Sequence, residues 1–368
     1  MAYTQVASGG DFDPAVWERG VELEVSQRFT LSPLMNQKGE PADDSLIQRS
    51  DLLTEGPGST VYFGADVLWD SSSGVKANED ALEGNERNVS PERDSIVIGL
   101  AKDAYANDEY MTVQRSSYDV RALGEKKLAT LLAQTVERSC FNQLCGVEWV
   151  TDTTLSGMQG DSSIVDRTDL HVFAGSATDD EGLTSNDTFT VSLIDEALEV
   201  AKTASPMVRP CRIPNFGRPL YVCFIHPYQT RTMKADSGWT NIWQNQIGAM
   251  NDPRMNPLIS GALGIYNDVL VVESTWVPTG YDTAADAEEA DVRRAGRCGA
   301  GALKAVFGRI PGRPGSYKWV EEYRNYGQIR GIAAHMAYGV KRPRFDFDGN
   351  GTAEDVNSVV ISTYATAA

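Results

Sequence analysis

Apolar and polar positions alternate at period two in two short stretches of the first third of the chain. In Ser59–Trp69 (STVYFGADVLW), Val61, Phe63, Val67 and Trp69 fall on one side of an extended backbone. In Ser95–Ala101 (SIVIGLA), Ile96, Ile98 and Leu100 repeat the pattern. Each reads as a half-buried strand. The intervening Asp70–Asp94 is nearly all polar and rich in Asn, Gly, Ser and Glu. A connection of that length is uncommon inside a compact domain. The three segments together predict a long hairpin with an extended polar tip.

Beyond Asp119 the period lengthens. Leu128, Leu131, Leu132, Thr135, Val136, Cys140, Phe141 and Leu144 recur at three- and four-residue spacing, and Arg121 and Glu125 form an i,i+4 pair. Asp119 suits the N-cap and Gly146 the position just past the end. At 1.5 Å per residue this helix is roughly 40 Å long. The polar, acidic stretch 146–188 predicts an extended connection or insertion. Val191–Ala201 is an amphipathic helix, and Leu220–Pro227 and Asp268–Ser274 are buried strands. Residues 278–301, rich in Ala, Asp and Gly, predict a second loop, and Ala302–Val340 alternates strand-like runs with Gly and aromatics. Residues 1–55 are polar and acidic, with one helix-like stretch around Pro14–Val25, and read as an arm laid on something else. Strands and helices interleave without a regular βαβ repeat, so the class is α+β.

The chain has 368 residues, 41% of them hydrophobic and 23% charged, which excludes wholesale disorder and suggests about two domains. Its formal charge of −18 argues against gripping a phosphate backbone as the main task, because such binding needs clustered Lys and Arg. The charge is segregated. Residues 151–200 carry 11 acids and a single base, Arg167, whereas 301–344 carry 9 bases and 2 acids. Acid-rich 1–60 and 151–200 could therefore face the base-rich segment of a neighbouring molecule, with Arg342 and Arg344 at the rim. No apolar run approaches the roughly 18 residues of a membrane span, and the N-terminus has no secretory pattern. Five cysteines without a CxxC pair read as buried free thiols of an intracellular protein.

Candidate chemistry is sparse. His171, His226 and His335 have no i,i+4 partners, and neither a GxSxG elbow nor a phosphate loop occurs. No catalytic residue or cofactor site is expected. Asp346, Asp348 and Asn350 match the first half of a calcium loop, but its twelfth position is Asn357 and a strand follows. They form a weak metal candidate, with a plain turn as the alternative. Taken alone, these features leave open an α+β cytoplasmic enzyme or small-molecule binder, and a calcium-dependent surface protein.

An ordered set of blocks narrows the choice. GPGSTVYFGADVLW, LEGNE (Leu82–Glu86) and DSIVIGLAKDAY are followed by DVRALGEKKLATLLAQTVERSCFNQLCG, PLYVCFIHPYQTRTMKADSGW, NPLISGALGIYNDVLVVES and YGVKRPRFD. Together they resemble the major capsid proteins of schitovirus-like tailed bacteriophages over most of residues 46–365. The resemblance implies a Hong Kong 97-like fold. Its parts would be an N-terminal arm (1–55), an E-loop hairpin (56–105) and a P-domain (106–189) with a spine helix at 119–145 and an acidic insertion. An A-domain (190–325) and C-terminal strands returning to the P-domain (326–368) would complete it. It further implies a shell of hexamers and pentamers around double-stranded DNA, formed in the host cytoplasm. A portal and scaffold or decoration proteins would be partners, and DNA would be touched only loosely. Trp69, Leu82, Glu83, Glu86, Arg342 and Arg344 are the subunit-interface candidates.

Overall fold

The protein is seen in a computed structural model that describes residues 31, 34–35, 44–51, 53, 58–66, 86, 91–108, 120–146, 170–213, 218–239, 262–282, 287–310, 317–346 and 353–367. In chain order the strands begin with β1 (Ile47–Ser50), β2 (Thr60–Asp66), β3 (Pro91–Val97) and β4 (Gly99–Asp108). The long helix α1 (Val120–Leu144), β5 (His171–Phe173), α2 (Val191–Thr203), β6 (Tyr221–Ile225) and α3 (Pro227–Ala235) follow. Next come β7 (Ala262–Tyr266), β8 (Val269–Glu273), β9 (Thr279–Asp282), β10 (Ala287–Cys298), β11 (Leu303–Phe307) and β12 (Tyr317–Arg324). The last are β13 (Ile329–Lys341), β14 (Arg344–Phe345), β15 (Glu354–Asp355) and β16 (Ser358–Tyr364).

One sheet is organised by β13. Along one edge it pairs antiparallel with β4, from Ile329↔Asp108 to Tyr338↔Gly99. Along the other it pairs with β12 and then β11, and β1 adds in parallel beyond β11. Helix α1 packs across this sheet and buries Leu128, Leu132, Val136, Cys140, Phe141 and Leu144, in one core with Ala334, Met336 and Tyr338. Ser139 Oγ and Tyr338 Oη, 3.0 Å apart, close the only polar gap that a buried tyrosine would otherwise leave there. Leu131 departs from the expected apolar stripe: it is 43% exposed. The buried rows run through 128, 132, 136 and 129, 133, and position 131 lies about 130° of helix rotation from the middle of that arc.

The second sheet runs β5, β16, β10, β6, β8, β7, with β9 on β10. Helix α2 covers it with Val191, Leu193, Ile194, Ala197, Leu198 and Ala201, all buried. The expected loop at 278–301 is instead β9 and β10, and β10 lies inside the sheet. Its small residues resemble a loop but serve packing. A Cβ on Gly296 would sit 3.0 Å from Cys145 Sγ, tighter than an ordinary contact, so glycine eases the approach of the end of α1 to this strand. Neither sheet follows chain order. Strands β11 and β12 join β4 and β13, while β16 from the C-terminus crosses to pair with β10. Gly146 takes φ +66 just past α1, as the expected helix stop requires.

Candidate functional site: the hairpin root and its charged junction

The predicted hairpin is formed by β2 and β3. Their register runs from Thr60↔Val97 to Asp66↔Pro91, so residues 67–90 join the two strands. Its inward positions, Val61 and Ile96, are buried with Leu53 and Val306 in a small core separate from the two main ones. Phe63 and Ile98 pack against it, while Tyr62 and Val97 on the opposite side are exposed. The alternation does not continue as expected through Leu100, which is 51% exposed while Ala101 is buried. The chain leaves the hairpin at Ile98 and enters the β13 sheet at Gly99, and this change of partner inverts the inward face.

The root of the hairpin lies tight against β13. A Cβ on Gly339 would stand 2.7 Å from the Val97 carbonyl oxygen and 2.9 Å from Ile96 Cγ2, so glycine is needed for the approach. Immediately beyond Gly339 comes the basic run Lys341, Arg342, Pro343, Arg344. Lys341 Nζ donates to Asp94 Oδ1 at 2.6 Å and to the Ser95 carbonyl at 3.2 Å, both on β3. The other oxygen of Asp94 accepts from the Arg344 backbone N–H at 3.1 Å. Arg342 donates from Nη1 to Asp355 Oδ2 at 2.7 Å and from Nε to Ser358 Oγ at 2.6 Å. Its backbone N–H reaches Gln143 Oε1 of α1 at 3.3 Å, and Arg344 Nε donates to Asp355 Oδ1 at 2.9 Å. Lys341, Arg342 and Arg344 thus tie together the hairpin, the end of the long helix and the C-terminal strands. Phe63 of the hairpin completes the junction by meeting Phe345 edge-on, ring centroids 6.0 Å apart.

This corrects the expectation for Arg342 and Arg344. They are 1% and 8% exposed and share Asp355, itself 1% exposed, so they point into the subunit and not toward its rim. Buried guanidinium groups need a carboxylate within the fold, and Asp355 supplies it. Of the other interface candidates, Glu86 is exposed, and Trp69, Leu82 and Glu83 lie outside the described residues. Asp346 is half-buried just past β14, and Asp348 and Asn350 lie outside the described residues. Among the described residues no group of three His, Cys, Asp or Glu side chains is placed to hold a metal ion. Sequence reasoning missed Asp94 and Asp355. The available signal was the basic run itself, set in an apolar strand context that obliges counter-charges from elsewhere.

The remaining titratable groups serve the fold. All five cysteines are free and buried. Burial pushes Cys145, Cys211 and Cys223 up to about 12, and Cys140 and Cys298 upward as well, so the thiols stay protonated and unreactive. A second buried pair, Arg294 Nε to Asp180 Oδ2 at 2.7 Å, holds the 170–190 segment to β10. His226 caps α3: its Nδ1 accepts from the Tyr228 N–H at 3.2 Å. No helix among the described residues is long and apolar enough to cross a membrane.

Two sheets bridged by a long helix, with a hairpin rooted against β13, make an α+β fold of the Hong Kong 97-like class. The fold is similar to the capsid of Ralstonia phage GP4, with a TM-score of 0.71 and 22% identity over 91% of this chain and 90% of that one. It is similar to the Cyanophage Pam1 capsid, with a TM-score of 0.71 and 17% identity over 100% of this chain and 97% of that one. In sequence, the chain is 25% identical over 358 residues to the major capsid protein of Pseudomonas phage KPP25, covering 89% of each. The phage capsid protein family matches residues 5–367, and the chain belongs to it. It is a phage major capsid protein, whose copies build an icosahedral shell.

Proposed function

We propose that each subunit enters the shell through two reaching elements, the arm (1–55) ahead of Leu31 and the hairpin (56–105) beyond its rooted strands, which gain their burial on neighbouring copies in hexamers and pentamers. Within the subunit, Leu31, Leu46, Ile47 and Leu53 are already buried, β1 pairs with β11, and β4 pairs with β13. Behind them the subunit divides into 106–189 with the spine helix, 190–325, and 326–368. The observation that supports this reading is the outer side of the hairpin root, where Tyr62 and Val97 are 66% and 47% exposed while Val61 and Ile96 on the other side are buried. Apolar surface left uncovered on a reaching strand pair supports contact between copies. Repetition of modest contacts around a closed symmetric assembly then gives high avidity.

The shell encloses double-stranded DNA and touches it loosely, in keeping with a charge of −18. Assembly takes place in the host cytoplasm, with a portal and with scaffold or decoration proteins as partners. The role is structural and not catalytic. Sedimentation velocity and electron microscopy of the purified full chain test the proposal. Capsomers or closed shells are the expected result. A compact monomer at every concentration, with a melting temperature raised by a small molecule, would overturn it in favour of an α+β binder or enzyme.

A further inference from the structure

Helix α1 carries an unusual outer face. Leu123, Lys126, Lys127, Leu131, Gln134 and Arg138 are all exposed; Leu123, Lys127, Leu131, Gln134 and Arg138 recur at three- and four-residue spacing with Lys126 beside them, so the six share one side of the helix. The helix's two acids within the described residues, Glu125 and Glu137, are turned inward and buried. The stripe is therefore cationic in a chain whose net charge is −18. It is also partly apolar: Leu123 and Leu131 are 47% and 43% exposed. Around Leu131 lies a shallow recess of about 400 Å³, lined by Lys126, Lys127, Thr130, Leu131 and Gln134. A purely solvated helix face needs neither leucine, and a helix core needs none of the lysines.

The complementary surface is present in the same chain. Residues 11–25 (DFDPAVWERGVELEV), outside the described residues, carry Asp11, Asp13, Glu18, Glu22 and Glu24 against a single base, Arg19. Asp13 followed by Pro14 is a helix-start signal. At helical spacing Trp17, Val21 and Val25 share one face, with Glu18 and Glu22 alongside. As a helix this segment would be about 22 Å long, the same as the stripe from Leu123 to Arg138. We propose that residues 11–25 of one copy's arm dock as an amphipathic helix along the outer face of α1 in a neighbouring copy. Trp17 and Val21 would cover Leu131 and its recess, while Glu18 and Glu22 would meet Lys126 and Lys127, an arrangement of apolar anchors with flanking charges. This rests on the reading that the arm finds its burial on neighbours, and it names the surface.

Disulfide trapping in assembled shells tests the docking. The native thiols are all buried, so a Trp17→Cys/Gln134→Cys full-length variant reports on the new pair alone. The expected result is a ladder of linked chains after mild oxidation, lost in either single variant. Shells without a ladder would overturn the docking and leave the shell-forming role intact. A linked monomer alone would overturn the assignment to a neighbour, because the arm would then lie on its own helix. A charge exchange covers the case in which the cysteine variant fails to assemble. Lys126→Glu/Lys127→Glu should lower the yield of shells about tenfold, and adding Glu18→Lys/Glu22→Lys should recover most of it. No recovery, or a defect confined to DNA content in shells of normal yield, would overturn the proposal.

Discussion

Lys341 Nζ lies 2.6 Å from Asp94 Oδ1, a bond between residues 247 positions apart that fastens the hairpin to the strand at the centre of the larger core. Both side chains are nearly buried, at 8% and 11% exposure. Asp94 also accepts from the backbone of Ser95 and Arg344, so one carboxylate orients three donors. One acid at the base of the hairpin thus helps to set its orientation to the body, beside the Phe63–Phe345 contact and the small core around Val61 and Ile96.

Replacing Asp94 by Ala should therefore leave a buried ammonium without its counter-charge. Breaking such a pair from one side costs on the order of 3 kcal/mol. The expected outcome is a melting midpoint lowered by several degrees, with faster proteolytic cleavage within 58–98 than elsewhere. Asp94→Asn, which keeps an acceptor for Lys341, should lose less. Calorimetry and timed proteolysis of the three proteins would show this order, and equal stability would remove Asp94 from the junction.

Arg342 and Arg344 lead to a different prediction from the one their sequence suggests. Exposed rim arginines reversed to Glu would slow assembly and spare the fold. Here Arg342→Glu would place a second carboxylate beside Asp355 in a site that is 1% exposed. Several kcal/mol of destabilisation follow, so the variant should be recovered largely unfolded or insoluble. Circular dichroism of the subunit before any assembly step distinguishes the two cases. A fully folded Arg342→Glu subunit would contradict the buried pairing.

Much of this fold was legible in the sequence, and the misses share a cause. Period-two alternation gave β2 and β3, and the 3.6-residue period gave α1, because both signals are local. The inward turn of Arg342 was not legible, since it depends on Asp355 arriving from a different strand. The conversion of 278–301 into β10 was hidden for a related reason. A strand pressed between other elements uses Gly and Ala where those elements approach, as Gly296 does against Cys145, and those residues mimic a loop. Leu100 was misplaced because the chain exchanges partners at Ile98, and no side-chain pattern marks a change of sheet. Of the candidate site, the hairpin was foreseen and the acids that root it were not.

The cap of α3 gives a pH prediction. Burial, with Arg293 nearby, holds His226 down at about 4, while Glu273 acts in the opposite direction. An unfolded histidine titrates near 6.5. The folded form thus resists protonation, and its contribution to stability is complete above pH 6.5 and is lost as pH falls from 6.5 toward 4. His335, lowered by burial and by Lys318 and Lys102, adds the same sign. The melting temperature of the subunit should fall between pH 7 and 4.5. His226→Asn, which retains a side-chain acceptor for the cap, should show a smaller fall, and an equal one would assign the loss to other groups.

Trimming the hairpin separates folding from assembly. The pairing of β2 with β3 ends at Asp66↔Pro91, so a cut must spare Pro91 and Glu92, which belong to the ladder. Replacing 71–88 with a short Gly-Ser linker leaves every described contact of the small core formed by Leu53, Val61, Ile96 and Val306 in place. Asp94 keeps its lysine as well. The trimmed subunit should therefore melt within a few degrees of the full chain. It should nevertheless fail to close shells, or form them at much lower yield, because the surface that the tip covers on a neighbour is lost while each subunit still gives up its translational and rotational freedom on joining the assembly. A trimmed protein that melts normally and still assembles at full yield would show that the hairpin contributes nothing between subunits. A trimmed protein that no longer folds would show instead that the tip packs on its own body, and that the reach to a neighbour belongs to the arm alone.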